Sequence, residues 1–398
     1  MTDPACPDRP ACPSRAEAGD PAAARPRAGG APPLTALAAS LPASVPFVGP
    51  EQQERDRARP FRARIGANES SFGPSPRALE AMAAAAPRAW CYADPTAHDL
   101  RAALAGALGV DGAHLVIGEG IDGLLGLTVR LFAGPGDTVV TSAGAYPTFN
   151  YHVVGHGARL VTVPYRDDAE DPEALATAAR AEGARLVYLS NPDNPMGSMV
   201  EAGRIAALLD ALPADCLLCL DEAYGEFAPA GTLPPLDPKD GRVIRLRTFS
   251  KAHGLAGLRL GYAISTPAIA AAYDRVRNHF GVNAMAQAAG IAAIADTAHL
   301  AHVVEATAGA RQRIGAIARA AGLTPLPSAT NFVAVDCGGD GALARRVLEG
   351  VIARDVFVRM PGVAPLDRCI RVGAGTPADL DLLAEVLPGA LEAARARS

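Results

Sequence analysis

Leu217-Leu218-Cys219-Leu220-Asp221-Glu222-Ala223-Tyr224 is an apolar run that stops on two carboxylates. A short, continuous apolar stretch bounded by polar residues suits a strand buried on both faces, which is the habit of parallel sheets. The residues upstream fit the same reading. Glu201–Ala211 has the length and alanine content of a crossover helix, and Leu186–Ser190 is another apolar run before it. Parallel neighbours need a crossover of that kind. Leu115–Ile117, Thr138–Thr141, Arg159–Val163 and Val243–Thr248 also read as strands, with helices over Asp122–Leu131 and Pro172–Ala181. The alternation predicts an α/β fold with a mainly parallel sheet and helices on both faces.

The pattern changes near Thr266. From there to about Gln287 the chain reads as a helix running into an irregular stretch, and Glu305–Ala321 reads as a long helix. A smaller α+β unit is expected beyond it. Its elements are strand Asn331–Val335, helix Asp340–Ala353, strands Val356–Arg359 and Cys369–Val372, and helix Pro377–Ala394. The expected organisation is a leader (1–32), an N-terminal arm (33–64), a large domain (65–280) and a small C-terminal domain (281–398). Residues 65–80 are candidates to pack with the small domain. A chain of 398 residues is long enough for more than one core. The leader is rich in Pro, Ala, Arg and Gly without periodicity, and disorder is expected there.

Leu34–Val48 is mildly apolar and follows Arg25 and Arg27, but Pro42 and Pro46 interrupt it and it is too short for a bilayer span. Export is not expected. Apolar residues make up 49% and charged residues 20%, with a formal charge of −5. That balance gives no global basic field, which argues against nucleic-acid or anionic-membrane partners. Any anionic ligand is then held by a few local basic groups. The seven cysteines, Cys6, Cys12, Cys91, Cys216, Cys219, Cys337 and Cys369, are odd in number and widely spread, which suits a reducing cytoplasm. Cys216 and Cys219 form a C-x-x-C, but residues three apart on a strand face opposite sides, so no metal site is expected there. His152 and His156, four apart with no third ligand evident, read as solvated surface residues.

Three segments place polar residues at the ends of apolar runs, where parallel sheets build binding sites. Ser190-Asn191-Pro192-Asp193-Asn194-Pro195-Met196-Gly197 is a turn-rich loop that presents an amide. Asp221 puts a carboxylate on a buried platform. The third segment, Arg247-Thr248-Phe249-Ser250-Lys251-Ala252-His253-Gly254-Leu255-Ala256-Gly257-Leu258-Arg259-Leu260-Gly261, sets a lysine in a glycine- and alanine-rich loop. Its flanks, Ser250 and Arg259, offer a hydroxyl and a bidentate fork to a phosphate. A buried lysine beside another cation is a Schiff-base nucleophile, but taken alone Lys251 and Arg259 read more readily as a surface lysine and a surface arginine. His253 reads as loop scaffolding.

Taken together, these segments resemble the class I/II aminotransferases of fold type I, most closely the histidinol-phosphate aminotransferase branch, from about Ile65 to the C-terminus. The resemblance implies pyridoxal 5′-phosphate as cofactor and Lys251 as its Schiff-base lysine and proton shuttle. Asp221 is then the partner of the pyridine nitrogen, which lets the ring act as an electron sink. Tyr224 and Asn194 match the pair on the cofactor's phenolic oxygen, and Ser250 and Arg259 match the phosphate clamp. The turn Gly120-Ile121-Asp122, after strand Leu115–Ile117, is the candidate phosphate cradle at a helix start. Phe149 matches the aromatic that stacks on the ring, with Tyr146 and Tyr151 as alternatives. Tyr92 resembles the tyrosine that reaches the neighbouring subunit's cofactor, which implies a homodimer with shared sites. Arg371 matches the substrate-anion arginine and Arg359 a second one. Asn68, with Glu69, resembles the substrate-side loop near the N-terminus.

The sequence departs from that pattern at Met196, at Gly123, at Phe149 where tyrosine is usual, and at Ser70 and Ser71. None removes a catalytic group, and all lie near the substrate or cofactor face. The implied reaction moves an amino group between an amino acid or amino-alcohol phosphate and a 2-oxo acid. A threonine-phosphate-type decarboxylase, or another lyase or oxidase, would use the same cofactor residues. A DNA-binding regulator on this fold is disfavoured, because the first 60 residues show no helix-turn-helix pattern.

Overall fold

The computed structural model describes residues 33–42 and 48–397. The expected disordered leader lies outside the described residues. Residues up to Ser40 form one unit, whose described part holds a short helix, Ala36–Ser40, with no buried residue. Everything below concerns the second unit, Leu41–Ser398.

Among the described residues, twelve strands run in chain order: β1 (Ala63–Arg64), β2 (Leu115–Gly118), β3 (Thr138–Ser142), β4 (Arg159–Val163), β5 (Leu186–Ser190), β6 (Leu217–Asp221), β7 (Val243–Thr248), β8 (Gly261–Ile264), β9 (Thr324–Pro325), β10 (Phe332–Asp336), β11 (Val356–Phe357) and β12 (Cys369–Gly373). The main sheet has the order β2-β8-β7-β6-β5-β3-β4. Its β7–β6, β6–β5, β5–β3 and β3–β4 pairs are parallel, while β8 is antiparallel to both neighbours. The mainly parallel sheet is thus as expected. β8 itself was not anticipated, because it is short and grows directly out of the glycine-rich stretch that ends at Gly261.

Side-chain alternation explains why both faces are covered. Leu186, Tyr188 and Cys219 join the core under helices Gly120–Phe132 and Pro147–Gly155. Val187, Leu189, Leu218 and Leu220 point the other way, into a core with Leu175, Ile205 and Leu208. Those last residues come from helices Pro172–Glu182 and Ala202–Ala211. The first of these is fixed by its local sequence. Asp171 accepts from the N–H groups of Glu173 and Ala174, Pro172 opens the helix, and Gly183 closes it at φ +59°.

The C-terminal part has its own antiparallel sheet, β12-β10-β9, and a parallel pair, β1–β11. Its core includes Ile314, Val333, Val335, Val347, Ile370, Val372 and Leu383, and takes in Ala63 and Ile65 from the N-terminal side. Helix Ala284–Ala295 lies beyond the expected boundary at 280, yet it packs on Pro76–Ala85 and His98–Leu108 beside β2 and β8. Helix Thr297–Ala320 joins both regions, with Val303 near Tyr224 and Ile314 in the C-terminal core. We therefore propose that the division between the two cores falls along this helix. Among the described residues, no helix is long and apolar enough to cross a membrane.

Candidate active site

β5, β6 and β7 end at Ser190, Asp221 and Thr248, and the segments that follow carry Asn194, Tyr224 and Lys251. These residues line a cavity of about 780 Å³, together with Ile121 and Asp122 at a helix start, Asn68, Ser250, Arg259, Arg359 and Arg371. Such a crevice outside the carboxyl ends of parallel strands is where the topology lets loops converge. Its volume suits a cofactor and a small substrate together.

Lys251 Nζ donates to the backbone oxygen of Asn68 at 3.0 Å. Burial pushes its amine down to about 8, and Arg371 and Arg259 act in the same direction against Asp122 and Glu69. An amine with that value has a substantial neutral, nucleophilic fraction near neutral pH. Asp221 accepts from the Tyr188 hydroxyl at 2.8 Å and from the Ala223 N–H at 2.9 Å. Burial nonetheless pushes its carboxyl up to about 6, and the charged neighbours that bear on it most, Asp122 and Glu222, are themselves acidic. Glu222 is paired with Arg245 and Arg247. A buried carboxylate in that setting is complementary to a protonated ring nitrogen.

The helix Gly120–Phe132 begins without a side-chain cap, so its first N–H groups are open to an anion. Gly120 takes φ +71°, and a Cβ there would lie 2.8 Å from the Arg259 guanidinium. Only glycine lets the arginine come that close to the helix start. Arg259 Nη2 lies 3.4 Å from Asp122 Oδ2, and the other carboxylate oxygen accepts from Tyr146 at 2.7 Å. Ser250 Oγ, which accepts from Thr248 at 3.0 Å, completes this end. Open helix N–H groups, a guanidinium and a hydroxyl fit a phosphate, while Lys251 and Asp221 fit an aldehyde and a pyridine nitrogen. The residues present therefore fit pyridoxal phosphate.

Arg371, on β12, faces the cavity from the other side. Its Nη1 donates to Asn194 Oδ1 at 2.5 Å and its Nη2 to Gly66 O at 3.5 Å, while Nε is buried without a partner. Burial and the neighbouring Arg359 hold it down to about 10. Arg359 lies opposite Arg371 in an isolated antiparallel bridge, donates to Val48 O at 2.9 Å and is also lowered by burial. Two guanidinium groups on one wall suit a substrate that carries an anion.

Several placements differ from expectation. Phe149 does not line the cavity. It is fully buried and stacks on Tyr188, with ring centroids 4.4 Å apart. The cause is helical periodicity: Thr148, Tyr151 and His152 share the face toward the cavity, while Phe149 and Val153 point into the core. Tyr146 and Tyr151, the alternatives, both reach the cavity. The same face corrects His152, which is a cavity residue with a buried, unpartnered Nε2 and not a solvated surface histidine. Asn194 does not meet Tyr224; it is taken by Arg371, and the hydrogen bond to the Tyr224 hydroxyl comes from Asn68 Nδ2 at 2.9 Å. Tyr92 is 83% exposed and packs on Phe280 at 4.7 Å, away from this chain's cavity. Tyr188 was not anticipated, although its place on β5, next to Asp221 in register with Ser190, carried the signal.

Comparison with known proteins agrees with this chemistry. The family described as aminotransferase class I and II matches residues 64–387. A histidinol-phosphate aminotransferase from Sinorhizobium meliloti, solved in complex with pyridoxal-5′-phosphate, is 55% identical. It superposes with a TM-score of 0.88, covering 92% of this chain and 99% of that one. Histidinol-phosphate aminotransferase 1 from Mesorhizobium japonicum is 38% identical over 325 residues, 80% of this chain and 88% of the relative. The Rhodospirillum centenum enzyme of the same name is 36% identical over 346 residues, with coverages of 86% and 95%. On that match the chain belongs to the class I and II aminotransferases, and it is an enzyme of the transaminase type.

Proposed function

We propose that this enzyme moves the amino group of a phosphorylated amino alcohol of the histidinol-phosphate kind onto a 2-oxo acid, with pyridoxal 5′-phosphate as cofactor. One observation carries the reading. A single cavity joins a phosphate-type cradle at Ile121, Ser250 and Arg259 to a second cationic wall at Arg359 and Arg371. The first suits the cofactor's phosphate and the second suits an anionic substrate. The relatives named above act on histidinol phosphate, by name, which supports that choice of substrate.

When bound, pyridoxal phosphate supplies an electron sink for bond cleavage at the substrate's α-carbon. The chain's own residues do the rest. Asp221 holds a proton on the pyridine nitrogen. Lys251 would hold the cofactor covalently, and its amine would move a proton between the substrate's Cα and the cofactor's C4′. Tyr224, with its hydroxyl held by Asn68, would bind the phenolic oxygen. Arg371 and Arg359 orient the substrate by its anion from the C-terminal side of the cavity. We further propose a cytoplasmic homodimer in which exposed Tyr92 enters the partner's site; a single-chain species in sedimentation would remove that element.

The test is a screen of the holoenzyme against histidinol phosphate, amino acids and amino-acid phosphates with 2-oxoglutarate as acceptor. Glutamate formed with histidinol phosphate is the expected result. Release of carbon dioxide without glutamate would assign decarboxylation. Arg371→Ala is expected to raise KM for the anionic substrate by about 10–100-fold, the worth of one or two charge-assisted hydrogen bonds. An unchanged KM would move the clamp to Arg359.

A further inference from the structure

Asn331 lies immediately before β10 and is only 2% exposed. Its backbone oxygen accepts from the Ala374 N–H at 2.8 Å, which fixes it between the ends of β10 and β12. Its side-chain nitrogen donates to the backbone oxygens of Asn68 at 3.1 Å and Glu69 at 3.2 Å. Both partners are acceptors, so chemistry alone decides which way this amide faces. The Asn68 oxygen is also the atom that accepts from Lys251 Nζ at 3.0 Å. One carbonyl therefore meets the amine of the lysine and the amide of the C-terminal sheet.

Asn68 is held in an uncommon conformation. It takes φ +57° while 4% exposed, and its amide donates to the Tyr224 hydroxyl. The strap that contains it runs over the lysine loop at close range: a Cβ on Gly254 would lie 2.4 Å from Gly73 O. The buried oxygen of Asn331 has no partner. An unpartnered buried acceptor destabilises the fold, and an apolar side chain of the same size would avoid it. Packing thus gives no reason for asparagine here, whereas its two donated hydrogen bonds do. The strap has other anchors, the Gly373 N–H on Ile65 O at 2.6 Å and Arg371 on Gly66 O, so losing Asn331 acts on the Asn68–Glu69 turn and not on the whole strap.

We propose that Asn331 is a positioning residue for the reaction. It holds the Asn68 carbonyl where that oxygen takes one N–H of Lys251, which turns the amine's lone pair away from the carbonyl. The same hold keeps the Asn68 amide on Tyr224. Asn331 acts through Asn68, and the inference rests on the assignment of Lys251 as the cofactor lysine.

Two variants test it. Asn331→Asp keeps the shape and replaces both donors by acceptors. Asn331→Leu removes the donors together with the unpartnered oxygen. Three quantities are read for each: kcat and KM for the amino donor, the rate at which the apoenzyme acquires the absorbance of lysine-bound cofactor on mixing with pyridoxal phosphate, and the thermal midpoint. The expected result is a fall of about tenfold in kcat and in the cofactor association rate, near the upper worth of one hydrogen bond. KM is expected to stay within about twofold. For Asn331→Leu the thermal midpoint is expected at or near that of the wild type, so slow rates in that variant are not a folding defect. If Asn331→Asp does not fold, Asn331→Leu decides alone. Rates within about twofold of wild type in Asn331→Leu overturn the proposal, as does a rise in KM with kcat unchanged. A wild type that takes up no pyridoxal phosphate would instead overturn the reading of the site itself.

Discussion

Lys251→Ala is expected to abolish turnover, with a loss beyond about 10⁴-fold, and to remove the absorbance of lysine-bound cofactor. The variant loses a covalent anchor and a proton carrier at once, and a positioned acid–base group alone is worth about 10²–10⁴-fold. The wild type also has a predicted pH behaviour. Because burial and Arg371 hold the amine at about 8, below an ordinary lysine, the cofactor association rate should rise with pH and level off above about 8. The sign follows from the neutral amine being the nucleophile. A rate that keeps climbing to pH 10 or beyond would mean that the amine is not depressed. Activity that survives in Lys251→Ala would remove the assignment altogether.

Asp221→Asn is the other large effect. The amide keeps the side chain's shape and its contact with the Ala223 N–H, yet cannot hold a proton on a ring nitrogen. A fall in kcat of about 10²–10³-fold is expected, the usual cost of removing one preorganised electrostatic partner of the transition state. Cofactor should still bind, because the phosphate end and Lys251 are untouched. Steady-state kinetics with parallel cofactor titration separates the two effects. Normal turnover in Asp221→Asn would show that the ring nitrogen is held elsewhere.

The central strands were legible because β5, β6 and β7 are buried on both faces and leave continuous apolar runs. Asp221 was legible for the same reason, since it breaks its run abruptly, whereas Asn194 and Lys251 lie in loops beyond their strands and were assigned through the family resemblance. β8 was not, since its glycine-rich start carries the signature of a loop. The orientation of Phe149 was missed because a motif fixes a residue's place in the chain, while a helix turns about 100° per residue. Reading Thr148, Tyr151 and His152 as one face would have found the cavity side. Asn331 left no local trace. Its role depends on Asn68, 263 residues away in sequence, and on a contact between the C-terminal sheet and an N-terminal strap that no periodicity reveals.

The chain contains two lysines, exposed Lys239 and the cavity residue Lys251, which makes the central claim directly testable. Borohydride reduction of the holoenzyme, followed by peptide mapping by mass spectrometry, locates the covalently fixed cofactor. The account predicts a pyridoxyl group on Lys251 with Lys239 unmodified. Labelling of Lys239, or no labelled lysine in an active holoenzyme, would contradict it.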